Sequence, residues 1–249
     1  DQTDIIEANL TVGDQIVDGG GRLVWASESS YMWMILPNCD LDVFCNKKEV
    51  RQALDYAIDK NLIVDELYGG GAATAKGWVY VTPSALGYTP DLDPWPYDVA
   101  KAQSLLAAAG YPDGKGAPKF NIYTWNAGDL PYLPEQAQLI ADMWKKNLGL
   151  EVDVVVGEAA TTREKWYAGE LAGHVLLRSN EARWDGGSIT NALYGQWEGR
   201  AHIGGKREDT KAAAHEAMAV VDPSLRQAAF EKTFKFLFDE HYEFGSGYV

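Results

Sequence analysis

Residues 50–60 read VRQALDYAIDK and carry the pattern of a buried amphipathic helix. The apolar residues of this stretch stand at positions i, i+4, i+7 and i+8; they are Val50, Leu54, Ala57 and Ile58. This spacing places all four side chains on one face of an α-helix, and such a face has to pack against a core. The stretch therefore predicts a helix that lies inside the fold.

Strand-like and helical patterns alternate along the rest of the chain. Runs rich in Val, Ile, Trp and Tyr predict strands over residues 23–26, 31–36, 120–125, 152–156 and 174–177. Helical spacing with capping residues predicts helices over residues 47–58, 98–110, 134–149, 161–168, 206–220 and 223–240. Alternation of this kind is typical of an α/β fold with a central, largely parallel sheet flanked by helices.

Two finer expectations concern the core. The run from Val152 to Val156 contains four valines, interrupted only by Asp153, and this apolar character predicts a central strand of the sheet. In the last helix, Leu225 is expected on the core face together with Phe230 and Phe234.

Length and composition indicate one globular unit. The chain has 249 residues, of which 46% are hydrophobic and 23% charged. No apolar run approaches the roughly 20 residues that a membrane-spanning helix needs. The formal net charge of −14 argues against nucleic acid as a partner, because phosphate binding requires clustered Lys and Arg.

Polar side chains follow three predicted strands, where open α/β sheets place their ligands. The richest of these segments is 178–187, which is predicted to be a loop whose charged groups and indole contact a polar ligand; a solvated loop with mutually paired charges is the alternative. The predicted ligand-binding residues are Trp33, Asn38, Trp125, Asn126, Arg178, Asn180, Glu181, Trp184 and Asp185. Because tryptophans stand near predicted strand ends, an oligosaccharide is an alternative ligand. For Trp33 and Trp125, a position in the core is the favoured interpretation.

Enzymatic interpretations have little support in the sequence. Glu158 and Asp185 could form an acid/base pair, but among 36 acidic residues some pair will always look suggestive. No Gly-x-Ser-x-Gly elbow or His-Glu-x-x-His helix occurs. The four histidines are scattered without ligand spacing. We therefore expect no catalysis, no cofactor and no metal.

Three segments in order resemble one protein family. They are VRQALDYAIDK at residues 50–60, YD-x-AKA-x-x-LLAAAGYPDG at 97–114 and WKKNLGLEV at 144–152. These segments are similar to those of extracellular solute-binding proteins of family 5, the receptors of oligopeptide- and dipeptide-type ABC importers. The resemblance lies in the C-terminal lobe of such proteins.

The resemblance implies a fold and a role. It implies that residues 1–249 form a single lobe of the type II periplasmic-binding-protein fold, with residues 1–11 and 242–249 as crossover segments to a second lobe. The partners would be a small solute, peptide-like or an oligosaccharide, and an ABC permease, with the receptor itself a monomer. The location would be periplasmic or extracellular, with a lipid anchor as one means of retaining the full-length protein. A solute-sensing regulator built on the same lobe is the alternative, and a hydrolase a more distant one.

One feature of the family is altered in this chain. Peptide-binding relatives carry an aspartate in a Trp-x-Ala-Asp-Tyr segment that holds the amino terminus of the ligand. The corresponding acid here is Glu181 or Asp185, so the resemblance leaves open whether the solute is a peptide or another small polar molecule.

The two cysteines lie close together in the segment CDLDVFC, at Cys39 and Cys45. A metal site would need more thiolates or a nearby histidine pair. A disulfide that closes a small loop is favoured over free thiols, and it suits an exported protein.

Overall fold

The structure is a computed structural model that describes residues 12–24, 30–69, 81–93, 95–127, 132–181, 183–187, 204 and 207–248. The strands are β1 (Ser30–Ile35), β2 (Val81–Leu86), β3 (Phe120–Trp125), β4 (Val152–Gly157), β5 (Val175–Glu181), β6 (Arg183–Asp185) and β7 (Glu243–Tyr248). The helices are α1 (Gly13–Asp18), α2 (Lys48–Tyr56), α3 (Lys60–Tyr68), α4 (Val99–Ala108), α5 (Leu133–Leu148), α6 (Ala159–Tyr167), α7 (Glu208–Ala219) and α8 (Pro223–Glu240).

Five of the strands form the main sheet, in the order β4-β3-β5-β1-β7. Strands β4, β3 and β5 are parallel to one another, whereas β1 is antiparallel to both of its neighbours, β5 and β7. Four strands therefore point in one direction and β1 points in the other. The predicted α/β architecture is confirmed, and the reversal of β1 decides which strand ends lie together.

A smaller sheet pairs β2 with β6 in parallel. Because β6 follows β5 after a single residue, the chain leaves the main sheet at Glu181 and enters the small sheet at Arg183. No helix in the described ranges combines the length and apolar character needed to cross a bilayer.

Helix α2 lies in the core, as its apolar pattern predicts. Val50, Leu54, Ala57 and Ile58 are all at most 1% exposed. Side chains of α5 bind the carbonyl groups at the end of α2: the indole Nε1 of Trp144 donates to Leu54 O at 2.8 Å and the amide Nδ2 of Asn147 donates to Ala57 O at 3.0 Å. These bonds satisfy carbonyl groups that the helix itself leaves without a partner.

Strand β4 was predicted to be central, and this prediction is wrong. Among the described strands β4 pairs only with β3 and lies at the sheet edge, and its Val156 is 49% exposed while only Val152 is buried. The valines favour an extended backbone at an edge as well as in the centre. An apolar run alone therefore did not distinguish the two positions.

The core face of α8 is shorter than predicted. Phe230, Phe234 and Leu237 are buried, but Leu225 is 60% exposed. Leu225 lies in the first turn of the helix, directly after the cap formed by Asp222, whose side chain accepts a hydrogen bond from Ser224 N. That first turn extends beyond the part of the helix that packs against the core.

The predictions for the two ends of the chain are tested only in part. The predicted strand at 23–26 is not formed at Leu23 and Val24, and residues 25 and 26 lie outside the described part. Residues 1–11 also lie outside it. Residues 243–248 form β7, so the C-terminal segment pairs with β1 in this sheet; a connection from there to a second lobe stays a prediction.

A buried arginine holds the disulfide loop against the C-terminal helix. Cys39 and Cys45 are bonded to each other, which confirms the predicted disulfide. Arg51 is 1% exposed, and its guanidinium donates to Cys45 O, to Asn46 O and to Glu240 O at 2.8–3.0 Å. The guanidinium carbon Cζ of Arg51 also lies 3.9 Å from the ring centroid of Tyr242.

Reduction of the Cys39–Cys45 bond should lower the free energy of unfolding by about 2 kcal/mol, because the loop it closes in the unfolded chain is short. Urea unfolding with and without reductant measures the effect, and mass spectrometry should show the reduced chain heavier by two hydrogens. The double variant Cys39→Ala/Cys45→Ala serves as the control, since its unfolding should not respond to reductant. An equal unfolding midpoint for the oxidised and reduced parent would contradict the expectation.

A second buried polar cluster lies beside Arg51. Lys60 Nζ lies 2.6 Å from the Asp55 carboxylate, and His241 Nε2 lies 3.8 Å from the other oxygen of Asp55. The ring of Trp95 lies over His241, with 4.3 Å between the centroids. Burial lowers the pKa of His241, and Arg51 lowers it further, while the carboxylates of Asp55 and Asp239 oppose this shift.

Stability should therefore fall as the pH drops below about 6.5, the ordinary histidine pKa, because the unfolded chain then binds a proton that folded His241 resists. The loss should be smaller in His241→Asn, in which asparagine tolerates the left-handed backbone at φ 54°. Urea unfolding at about pH 7 and about pH 5 measures the difference. His215→Asn, at an exposed position of α7, should keep the parent's pH dependence; an unchanged slope in His241→Asn would refute the assignment.

Candidate functional site

The carboxyl ends of three parallel strands lie together at one end of the main sheet, which is called the ligand edge below. Strand β3 ends at Trp125, β4 ends at Gly157 and β5 ends at Glu181. Because β1 is antiparallel, its amino end reaches the same edge, with Ser30 opposite Glu181. Open α/β sheets bind their ligands beyond this edge.

Three of the predicted residues come together there on neighbouring strands. Trp33 of β1 stands opposite Arg178 of β5 in the antiparallel register. On the other side of β5, the guanidinium of Arg178 lies 5.9 Å from the ring centroid of Trp125. The sheet thus places Trp33, Arg178 and Trp125 side by side across β1, β5 and β3.

Trp125 belongs to the core and does not offer an open aromatic surface. Its side chain is 4% exposed. Two guanidinium groups lie over its ring, from Arg178 at 5.9 Å and from Arg163 of α6 at 5.3 Å. The ring therefore supports the two cations by cation–π contact.

Arg178 is half-buried between two indoles. Its guanidinium lies 5.9 Å from the ring of Trp125 and 5.9 Å from that of Trp166, which is 1% exposed. Its Nε–H donates to Ser179 O at 3.1 Å, which sets the orientation of the guanidinium plane. Stacking uses the faces of a guanidinium, whereas its hydrogen-bond donors lie in the plane.

Helix α6 contributes Arg163, which the sequence analysis did not select. The helix starts directly after β4, and the side chain of its cap Glu158 accepts a hydrogen bond from Thr161 N at 2.8 Å. Backbone N–H donors of the first turn lower the pKa of Glu158. Thr162 and Trp166 form the buried face of the helix. The sequence contained one signal for Arg163: a helix that follows β4 has to begin at the ligand edge.

The segment 178–187 was predicted to be a loop, and this prediction is wrong for most of its length. Residues 178–181 continue β5, and residues 183–185 form β6. Most of these residues are polar and are not the aromatic or β-branched types that are typical of strands. Their backbone is nevertheless extended, because pairing with neighbouring strands supplies its hydrogen bonds. The polar run was therefore taken for a loop although it forms strands.

Asp185 and Glu158, the two carboxylates of the hypothetical acid/base pair, both have structural contacts. The carboxylate of Asp185 accepts from Gly187 N at 2.8 Å and forms an ion pair with Arg226 of α8 at 3.0 Å. Glu158 caps α6. These contacts join β6 to α8 and order the start of α6.

The remaining predicted residues divide into three groups. Asn126 is exposed and follows Trp125 at the ligand edge. For Trp33, Asn180, Glu181 and Trp184, the backbone alone is described, and their side chains lie outside the described part. Asn38 follows β1, which runs in the opposite direction, so it lies at the other end of the sheet.

The position of Asn38 is clear from the register. Ile35 stands opposite Leu176, so residues that follow β1 lie beyond the amino end of β5. Asn38 is buried there in a left-handed conformation at φ 50° and precedes the disulfide loop. The structure therefore does not bring Asn38 together with Trp125 and Arg178.

Comparison with solved structures supports this architecture. The peptide-bound periplasmic binding protein DppA of Helicobacter pylori aligns over 97% of this chain and 46% of that one, with a TM-score of 0.78 at 20% sequence identity. HbpA2 of Haemophilus parasuis aligns over 97% and 47%, with a TM-score of 0.76 at 23% identity. At these identities the likeness establishes the fold, which is that of periplasmic binding proteins, as predicted.

Sequence comparison gives related proteins of known name. Heme-binding protein A of Haemophilus influenzae is 36% identical over 139 residues, which are 56% of this chain and 24% of that protein. The glutathione-binding protein GsiB of Salmonella choleraesuis is 44% identical over 102 residues, 41% of this chain and 18% of that protein. The aligned segments thus span about a quarter or less of these two relatives.

A family match covers most of the chain. The family described as "Bacterial extracellular solute-binding proteins, family 5 Middle" matches residues 2–198. This match agrees with the three sequence segments that resemble the family and with the shared fold. The chain belongs to the bacterial extracellular solute-binding proteins of family 5.

Proposed function

We propose that the chain forms one lobe of a two-lobe solute-binding protein that delivers a small polar solute to an ABC permease. The observation that carries the proposal is Arg178, which two buried indoles hold at the carboxyl ends of parallel strands. Family membership supports a receptor role. Action as a monomer outside the cytoplasm, with the solute bound and released unchanged, belongs to the same proposal.

The mechanism follows from the geometry of one lobe. Arg178 and the neighbouring backbone of β1 supply contacts on one side of a bound solute. A second lobe would supply the contacts on the other side, so the solute makes its full set of contacts only in a closed form. Ligand binding then shifts the population towards that form, and the closed form is the state that a permease distinguishes.

The chemistry of the site favours a solute that carries a carboxylate. Guanidinium groups form paired, charge-assisted hydrogen bonds with carboxylates. The named ligands of related proteins are a peptide, glutathione and heme, and all three molecules carry carboxylates. A peptide-like solute is therefore the first candidate.

The other functional classes have less support. An oligosaccharide receptor needs an accessible aromatic surface, and the two indoles that the structure describes beside Arg178, Trp125 and Trp166, are both buried. A hydrolase needs a free acid and base, and Glu158 and Asp185 are engaged in a helix cap and an ion pair. A sensor built on the same lobe would be recognised by a signalling or DNA-binding module in the same polypeptide.

Native mass spectrometry of the full-length protein, purified from its producing cells, should show a retained small molecule. A closed cleft releases its solute slowly, so the complex should survive purification. The mass difference between native and denatured protein identifies the solute class. Recovery of ligand-free protein together with turnover of a glycoside or ester panel would contradict a receptor role.

Arg178→Ala should weaken binding of that solute by at least roughly thirtyfold, equivalent to about 2 kcal/mol, because a charge desolvated on closure loses its partner. Isothermal titration calorimetry on the full-length protein measures the change. Lys119→Ala provides the matched control, since Lys119 is exposed beside Asp153 at the opposite end of β3. Equal affinity of Arg178→Ala and the parent would remove Arg178 from the site.

A further inference from the structure

An open groove runs between α3 and α5 on the outer side of these two helices. Its volume is about 450 Å³, which lies within the usual range of binding pockets. The residues that line it are Leu62, Glu66 and Leu67 of α3 and Glu135, Gln138 and Leu139 of α5. All three leucines are exposed at least in part, and Leu62 is 41% exposed. A contiguous apolar surface with a polar rim is typical of a site for another protein.

Contacts at both ends of the groove hold the two helices side by side and antiparallel. At the start of α3, the backbone N–H of Asp59 donates to Met143 Sδ of α5 at 3.3 Å. At the end of α3, the ring of Tyr68 packs against that of Tyr132, which directly precedes α5, with 5.8 Å between the centroids. The space between these contacts is the groove, so its two walls are in place before a partner binds.

The surface around the groove is acidic and carries no compensating cation of its own. Residues 61–69 and 132–144 contain four carboxylates and no Lys, Arg or His. These carboxylates are Asp65, Glu66, Glu135 and Asp142. Among the described residues, none of the four forms an ion pair. Glu66 on the α3 wall and Glu135 on the α5 wall are both exposed, so a cation can approach either one.

Other acids on the surface are neutralised within the chain, which sets the groove apart. Asp153, for example, lies 2.6 Å from Lys119 Nζ. The negative potential of the groove also reaches its end, because burial and the nearby Tyr132 and Glu135 raise the pKa of Tyr68. An apolar floor with uncompensated carboxylates on both walls is complementary to an apolar segment that has cations beside it.

We propose that the α3/α5 groove binds an amphipathic helix of another protein, with Lys or Arg on both sides of its apolar face. Apolar side chains spaced at i, i+3, i+4 and i+7 enter the groove between the leucines, and the flanking cations pair with Glu66 and Glu135. The inference goes beyond the proposed receptor function, because the groove lies along the helices and not at the ligand edge. The same carboxylates repel the anionic head groups of a lipid surface, so the occupant is a protein segment.

The test uses the full-length protein and three fluorescently labelled peptides of about 15 residues, roughly four helical turns. The first peptide carries leucines at i, i+3, i+4 and i+7 with lysines on both sides of that face. The second has the same composition in an order that spreads the leucines around the helix. The third has glutamate in place of every lysine. Fluorescence anisotropy at about 0.15 M salt should show the first peptide binding at least roughly tenfold tighter than the other two.

Variants of the groove separate a specific site from general attraction to an acidic protein. Glu66→Gln/Glu135→Gln should weaken binding of the lysine peptide about tenfold and reduce its dependence on salt. Glu164→Gln/Glu170→Gln removes two exposed carboxylates outside the groove and should bind like the parent. Leu62→Asn should weaken binding about threefold to tenfold and keep the salt dependence, because it removes apolar contact alone.

A reversal of charge provides the sharpest readout. Glu66→Lys/Glu135→Lys should bind the glutamate peptide in preference to the lysine peptide, because the rim then attracts anions. A variant that had merely lost its fold would bind neither peptide, so the reversed preference cannot arise from unfolding. Circular dichroism of each variant should match that of the parent.

Other outcomes overturn the proposal. Equal binding of the first two peptides, or parent-like binding by Glu66→Gln/Glu135→Gln, shows that the groove does not recognise a basic amphipathic helix. Self-association of the protein that Leu62→Asn abolishes assigns the groove to a second copy, and adsorption to anionic vesicles that Leu62→Asn abolishes assigns it to lipid. Failure of all three peptides to bind refutes the groove as a docking site, while a solute retained in native mass spectrometry leaves the receptor function standing.

Discussion

The interactions of one buried guanidinium, that of Arg51, connect α2 and the disulfide loop to the end of α8, 189 residues further along the chain. The side chain comes from α2, donates to the carbonyl groups of Cys45 and Asn46 at the end of the disulfide loop and donates to the last carbonyl group of α8. It also lies against Tyr242, whose own carbonyl accepts a hydrogen bond from Leu36 at the end of β1. Arg51 is charged and almost fully buried, so its donors need partners. The carbonyl groups that satisfy it hold α8 in place, and β7 follows directly from α8 into the sheet.

The direction of β1 has a comparable effect on the site. Its amino end, not its carboxyl end, lies beside the ends of β3, β4 and β5. Trp33 therefore stands opposite Arg178, whereas Asn38 directly precedes the disulfide loop at the other end of the sheet. Because β1 is reversed, its first residues lie at the ligand edge, where a solute could bind. The residues that follow β1 lie at the opposite end of the sheet, where polar groups maintain the fold. Polar residues stand near strand ends on both sides of the sheet. Only the direction of each strand shows on which side such a residue lies.

Patterns of burial could be predicted from the sequence because they depend on local spacing. Val50 and Leu54, or Trp144 and Leu148, recur at helical intervals and mark the faces that pack. Strand direction depends on pairing with distant segments, and nothing within residues 31–36 indicates it. The buried charges Arg51 and Asp55 were not anticipated, because they stand beside apolar residues on a helix and their partners come from elsewhere. Arg163 was missed for a similar reason: an exposed arginine on a helix resembles solvated surface until the fold places Trp125 beneath it.

The position of Arg178 also explains how one lobe can select a charged solute without binding it tightly by itself. In an open lobe, water reaches the half-buried guanidinium, and an exposed ion pair contributes at most about 1 kcal/mol. On the proposed two-lobe arrangement, closure removes that water, and a carboxylate of the solute interacts with the guanidinium more strongly in the lower dielectric. Loss of water by itself opposes closure, because desolvation of a charged group is unfavourable. A carboxylate offsets this cost, since it replaces the lost water contacts. Closure would thus depend on the charge of the solute that the lobe has bound.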